Sequence, residues 1–379
     1  MSSSVQRAAK LATRLGFFVA GFGIACWAPL VPFAKQRLAV DDATLGLLLL
    51  CLGIGAVAAM LLTGVLTSRL GSKPIIVAGG FGLAIILPLL AFAATPAMLG
   101  AALFAFGASL GSLDVAVNVH AIEVERAEGR PLMSGFHAQF SIGGFVGAGM
   151  MTLLLAMGAD ALISTLVCSS LMGLAMGLTT PRLLRARPSE AGPLFVLPHG
   201  FVVLLAALAG IMFLVEGAML DWGALLLTAA DHLPKAQAGL GYMLFSIAMT
   251  AGRLGGDAIV SRTGDRATLF WGSLIAIAGF VVLLTIPFAA VAITGFLLIG
   301  LGASNLVPIL FRKAGTQDAM PVSLAVAAVT TTGYSGVLLG PAAIGFVAEF
   351  VSLQAAFWML AALLGIVTLS AQRAGAEQN

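Results

Sequence analysis

Two acidic side chains lie deep within apolar stretches of this chain, where an ionisable group has few reasons to be other than chemical ones. Asp114 is followed four positions later by Asn118, in the stretch Gly111-Ser-Leu-Asp114-Val-Ala-Val-Asn118. On an α-helix that spacing puts carboxyl and amide on one face. Glu216 stands in a second such stretch, Glu216-Gly-Ala-Met-Leu-Asp221-Trp222. A carboxyl shielded from water can take up and release a proton as its surroundings change, which makes Asp114 and Glu216 candidates for proton coupling. The alternative for Asp114 is a structural acid, fixed by a neighbouring hydroxyl or by helix-end amides. Arg253 precedes Asp257 by four residues, a spacing at which the two would neutralise each other, as a gate element rather than an anion site. Uncharged candidates for binding a solute are Asn118, Gln139, Tyr242, Asn305 and Tyr334, together with His137 and Trp27. Amides bond hydroxyls while an aromatic face packs on a ring's C–H surface, so this set suits a hydroxylated ring. Asp221 and Trp222 read as anchors near a membrane interface, where Trp is enriched.

Composition decides what holds these groups. Of the 379 residues 60% are hydrophobic and only 9% charged, and the mean hydropathy is +1.07. Ordinary soluble domains carry about a quarter charged residues, so this chain cannot cover an aqueous surface and is an integral membrane protein. Soluble enzymes and nucleic-acid modules are excluded. The three cysteines, Cys26, Cys51 and Cys168, lie in apolar runs as packing residues, and His120, His199 and His232 are not spaced as metal ligands. No metal, cofactor or nucleotide-binding loop is expected.

A helix needs about 20 predominantly apolar residues to cross a bilayer. Twelve such runs are present, at 15–34, 44–67, 74–94, 97–122, 134–157, 161–181, 199–220, 237–260, 268–288, 290–311, 320–347 and 351–371. The first follows Arg7, Lys10 and Arg14 but lacks a small-residue cleavage site, so it reads as a retained helix. If the N-terminus is cytoplasmic, 15 basic residues fall on the inner side, against Lys35, Arg37 and Lys235 outside and Arg253 within a span. That bias predicts cytoplasmic termini and explains the basic pI without nucleic acid. The widest polar break, Leu183 to Pro198, separates six spans in residues 1–182 from six in 199–379.

The halves are a repeat. Gly64-Val-Leu-Thr-Ser68-Arg69-Leu-Gly71-Ser-Lys73 follows span two, and Asp257-Ala-Ile-Val-Ser261-Arg262-Thr-Gly264-Asp-Arg266 follows span eight, 193 residues later. Gly143 and Gly147 in span five recur at the same offset as Gly336 and Gly340 in span eleven. Six spans per half give both halves the same orientation.

Twelve spans as six plus six, a central linker and these glycine-basic loops resemble the major facilitator superfamily over the whole chain. The resemblance implies an all-α fold of two six-helix bundles, with Gly64, Ser68, Arg69, Gly71 and Lys73 and then Arg253, Asp257, Arg262, Gly264 and Arg266 at a cytoplasmic gate. Ser68 and Ser261 stand where that family's loop carries Asp, and Asp257 stands where it carries Gly, which shifts gate duty toward Asp257 and Asp265. Trp27-Ala-Pro29-Leu-Val-Pro32, the Asp114 and Asn118 segment with Val124-Glu125, Ser134-Gly-Phe-His137 and Glu216 to Trp222 are similar to the MosC/YbjJ-like branch of the superfamily. The Asp114 and Asn118 segment is also similar to the fucose permease group, where an acid at this place serves proton coupling.

The expectation is a monomeric, non-enzymatic transporter of the bacterial inner membrane. It moves a small polar solute by alternating access and proton symport, its partners being solute, protons and lipid. Proton-driven export of drugs or metabolites is the alternative within that class, and a membrane sensor or lipid-handling protein the alternative outside it. The topology is directly testable: cysteines introduced in Leu183–Pro198 should react with impermeant thiol reagents only from the cytoplasmic side, and labelling from outside would invert the assignment.

Overall fold

The computed structural model describes residues 3–128, 132–184, 198–319 and 322–375. It is 89% helix and has no strand among the described residues. Hydrocarbon offers backbone N–H and C=O groups no partner, so a spanning segment must bond within itself, and a helix does so along its whole length. The helices are α1 (Ser3–Trp27), α2 (Val31–Leu38), α3 (Asp42–Leu70), α4 (Ser72–Phe92), α5 (Pro96–Glu128), α6 (Met133–Ala156) and α7 (Ala161–Thr179). After the linker come α8 (Phe201–Asp221), α9 (Gly223–Ala229), α10 (Leu240–Thr285), α11 (Ala289–Ala292), α12 (Thr294–Ala303), α13 (Leu306–Thr316), α14 (Val322–Phe350) and α15 (Leu353–Ala374). The greater part of the linker, 185–197, lies outside the described residues.

Among the described residues eleven helical stretches are long and apolar enough to cross a bilayer. The twelfth run expected from sequence, 237–260, is the first part of α10, a helix of 46 residues interrupted at Gly264. Arg253, Asp257 and Arg262 lower the hydropathy of that first part, so the apolar stretch in α10 begins only at Ala258. Gly264 has φ 78° and ψ 164°, and Gly71, between α3 and α4, has φ 79° and ψ 169°. The two loops 193 residues apart therefore turn through the same backbone conformation, one that is essentially reserved for glycine. Other ends close with side chains: Asp160 accepts the Ile163 N–H at 2.7 Å to start α7, and Ser352 accepts that of Ala355 at 3.0 Å to start α15.

The chain forms two compact units. The first comprises Met1–Val40, Leu48–Gly192 and Lys235–Met243, and the second Asp41–Leu47, Pro193–Pro234 and Leu244–Asn379. Within the first, α1 lies along α6 while α4 packs on α5 and α7; within the second, α8 lies along α14 and also meets α13 and α15. Lipid is as apolar as a leucine, so helices in it are held by close packing rather than by escape from water. Glycines supply the approach in both units. A β-carbon on Gly107 would overlap the carbonyl oxygen of Leu52, and one on Gly300 that of Phe245. Both members of the second contact sit 193 residues after those of the first. Gly143 against Phe18 and Gly336 against Gly210 likewise join α1 to α6 and α8 to α14.

Proline inside a helix deprives the carbonyl four residues earlier of its donor. Pro88 in α4 does this to Ala84, whose oxygen accepts instead from the hydroxyl of Ser169 in α7. The end of α4 is closed by Arg37, whose Nε donates to Ala93 O at 3.0 Å and whose second guanidinium nitrogen donates to Leu90 O at 2.7 Å. A cation there also meets the negative end of the helix dipole. The matching loop geometry carries a prediction: Gly71→Ala and Gly264→Ala should each destabilise the fold by about 1–3 kcal/mol, read as a lower melting temperature of the detergent-solubilised protein. Gly173→Ala, at a helical glycine with open space around it, should have little effect.

Candidate functional site

In the first unit, α5 presents Asp114 and Asn118 as the spacing requires. Asn118 Nδ2 donates to the Asp114 backbone oxygen at 2.8 Å and to its carboxylate Oδ1 at 3.3 Å, and both residues are half-buried. One helical turn thus holds an acid with a polar partner on its own face. On the helix that follows, His137 is exposed and its ring lies 5.0 Å from that of Phe17, while Gln139 is half-buried. Trp27 ends α1 fully buried, and its indole N–H has no hydrogen-bond partner among the described residues.

In the second unit Glu216 of α8 and Arg253 of α10 form an ion pair at 3.5 Å. Arg253 thereby turns to another helix rather than along its own toward Asp257, whose side chain lies outside the described residues. Sequence accounts for a second contact of the same guanidinium. Pro308 has no N–H to give to the Ser304 carbonyl, the span breaks between α12 and α13, and Arg253 Nε donates to Ser304 O at 3.4 Å. Asn305 stands in this break, and its Nδ2 donates to Gly252 O and to Ser304 Oγ, each at 3.1 Å. Its amide hydrogens are therefore spent on joining the break to α10. Tyr334 of α14 is half-buried and stacks on Phe213 of α8, with centroids 5.9 Å apart and planes 13° from parallel, and Tyr242 near the start of α10 is half-buried.

The loop residues divide between backbone and surface roles. Gly71 and Gly264 make the turns, Arg69, Arg262 and Arg266 are exposed, Lys73 is half-buried, and the side chains at Gly64 and Ser68 lie outside the described residues. Asp265 pairs with Arg312 and with Lys313, the latter at 3.3 Å, tying the second loop to α13.

Three arrangements escaped sequence reasoning. His120, set aside as an isolated histidine, is fully buried and accepts the Leu184 N–H on Nε2 at 3.0 Å. The ring proton is then on Nδ1 and donates to Thr13 Oγ1 at 3.0 Å, and Thr13 donates on to Ala9 O at 2.9 Å. This chain fastens the start of the linker to α1 and α5. The second is the pair of carbonyls freed by Pro88 and Pro308, which the position four residues before each proline would have revealed. The third is Asp221 and Trp222: both are buried, Trp222 completely, which corrects the expectation of an exposed interfacial anchor.

Apolar helices in two units that share loop geometry and glycine contacts define a multi-spanning membrane protein with a repeated architecture. Residues 14–317 match the family described as the Major Facilitator Superfamily, and the chain is a member of that superfamily. It is 50% identical over 365 residues to an uncharacterised MFS-type transporter of Yersinia pestis, covering 96% of this chain and 95% of that one. To membrane protein MosC of Rhizobium meliloti it is 31% identical over 358 residues, covering 93% and 86%. Among solved structures it is similar to the nucleoside transporter NupG, with TM-score 0.77, 14% identity, and 98% of this chain and 100% of that chain covered. The D-xylose-proton symporter gives TM-score 0.75, 13% identity and 98% coverage of each chain. Identities this low speak for the fold alone.

The shared carbonyl at Ser304 gives a prediction for the second unit. Arg253→Ala should destabilise the protein by about 1 kcal/mol, the scale of one hydrogen bond. Adding Pro308→Ala should recover part of the loss, because it returns an intrahelical donor to Ser304. Thermal unfolding of the four proteins of this double-mutant cycle measures the coupling, and strict additivity would dissociate Arg253 from the proline break.

Proposed function

We propose that this chain is a secondary transporter that moves a small polar solute, a sugar, polyol or related metabolite, across the bacterial inner membrane by alternating access and in symport with protons. The observation that carries the reading is the retention of Asp114 beside Asn118 in an apolar span, where an acid costs stability and needs a task. The ion pair of Glu216 and Arg253 adds a second ionisable locus within the spans. Membership of the superfamily supports transport as the general task. The solved structures that share the fold are named for nucleosides and for D-xylose with protons, solutes of the polar class proposed here.

In this reading Asp114 and Glu216 exchange protons, and Asn118, Trp27, His137, Gln139, Tyr242 and Tyr334 contact the solute. Asn305 contributes through its carbonyl oxygen, since its amide hydrogens are engaged. The loops around Arg69, Gly71 and Lys73 and around Arg262, Gly264 and Arg266, with Arg253 and Asp257 nearby, serve the gate, and the distribution of basic residues supports cytoplasmic termini. The chain acts as a monomer.

A thermal-shift screen of sugars, polyols, amino acids and nucleosides identifies a solute by the stabilisation it brings. With that solute in proteoliposomes, Asp114→Asn should abolish accumulation driven by a pH gradient while solute exchange, which moves no net proton, survives at least in part. Asn keeps the size and most of the hydrogen bonding of Asp. An Asp114→Asn protein that still concentrates solute against its gradient would remove Asp114 from the coupling.

A further inference from the structure

The last residue of α8 is an acid that the transport scheme above leaves unused. Asp221 is 7% exposed, and among the described residues neither a hydrogen bond nor an ion pair satisfies its carboxyl. Its surroundings are apolar: Ala218, Met219, Leu225 and Leu226 are buried in the same stretch. Asp221 also sits at the C-terminus of a 21-residue helix, where the dipole disfavours negative charge. The neighbouring Trp222 is fully buried with its indole N–H unpaired, so two adjacent side chains hold polar atoms without partners.

Every charged or titratable group on the elements packed against α8 is committed elsewhere or absent. Glu216, on α8 itself, is paired with Arg253, and five positions rotate it by about 140° from Asp221. Arg312 and Lys313 of α13 hold Asp265. Glu349, at the end of α14, accepts the Asp42 backbone N–H at 3.1 Å, and Tyr334 of the same helix stacks on Phe213. Arg373 lies in the last turn of α15, at the opposite end of that helix from Ser352. Neither α9 nor α12, whose Phe296 abuts Gly223, carries a titratable side chain.

We infer that Asp221 is a proton-binding site separate from Asp114 and Glu216, holding its proton in this conformation and releasing it when water reaches the end of α8. A buried carboxyl with no counter-ion, placed at the negative end of a helix, neutralises by protonation rather than remaining an ion. Glu216 does not need that solution because Arg253 compensates it. The first unit has no such acid, because Cys26 precedes the corresponding unpaired tryptophan, Trp27. Occupancy by a proton stands on the geometry; the coupling of that proton to solute rests on the transport reading above.

Infrared spectroscopy of the purified full-length protein tests occupancy without any solute. At neutral pH the protein should show the carbonyl stretch of a protonated carboxylic acid, moved by carbon-13 labelling of aspartate. That band should vanish in Asp221→Asn and persist in Asp114→Asn. In Asp221→Glu a carboxyl band should remain but lose its response to aspartate labelling, which keeps the assignment available if the Asn variant fails to fold. Raising the pH should remove the wild-type band reversibly while helix content is retained. Absence of the band from the wild type, its persistence in Asp221→Asn, or its invariance until the protein denatures would each overturn the proposal. The two readings fail separately: a wild-type protein that shows the band but no proton-driven accumulation contradicts the transport reading alone.

Discussion

A carbonyl or amide inside hydrocarbon has no water to turn to, and the rest of this structure follows from that restriction. It makes the spans helical and leaves helix ends and prolines as the places where a donor must be supplied from elsewhere. Arg37 supplies one at the end of α4, and Gln354 another by donating to Leu284 O at 2.8 Å near the end of α10. Ser169 serves the carbonyl freed by Pro88, and Arg253 the one freed by Pro308. Arg253 is thus bound to a structural defect in the break between α12 and α13 as well as to Glu216, so a change in one contact must be felt by the other.

Packing in each unit answers a second consequence of the same solvent. With no hydrophobic drive between helices, stability depends on backbones approaching until dispersion contacts accumulate, which only glycine permits at Gly107 and Gly300. Such contacts give stiff helix pairs, while the loops at Gly71 and Gly264 concentrate the unusual backbone angles at one residue each. Stiff pairs joined at defined turns are a physical basis for units that move as bodies.

Ionisable groups within the spans meet the cost of burial in different ways. An acid or base at the centre of a spanning helix costs about 2.5–3.5 kcal/mol on insertion scales. Glu216 and Arg253 offset it by pairing, and Asp114 is bonded by the amide of Asn118 on its own helix. His120 avoids charge altogether, since both ring nitrogens are occupied in the neutral tautomer by Leu184 and Thr13. Burial by itself therefore does not identify a proton carrier among these residues; the partner of each does.

Composition and periodicity were enough to read a helical membrane protein, its repeat and its family, because a bilayer imposes one length and one polarity on every span and a duplication leaves its offset in the chain. Local spacing was enough for Asp114 and Asn118, since residues four apart on a helix meet whatever surrounds them. It misled at Arg253, whose four-residue spacing to Asp257 suggested a pair along α10. The guanidinium instead crosses to Glu216 and Ser304, residues 37 and 51 positions away. His120 was illegible for the same reason, its partners lying 107 and 64 residues distant. Asp221 and Trp222 look like an interfacial anchor in sequence and are buried in the structure, because burial at a helix end is set by which other helices reach it. The chain's own order determines which groups share a helix face; only the packing of distant helices decides which charges are compensated and which polar atoms are left without a partner.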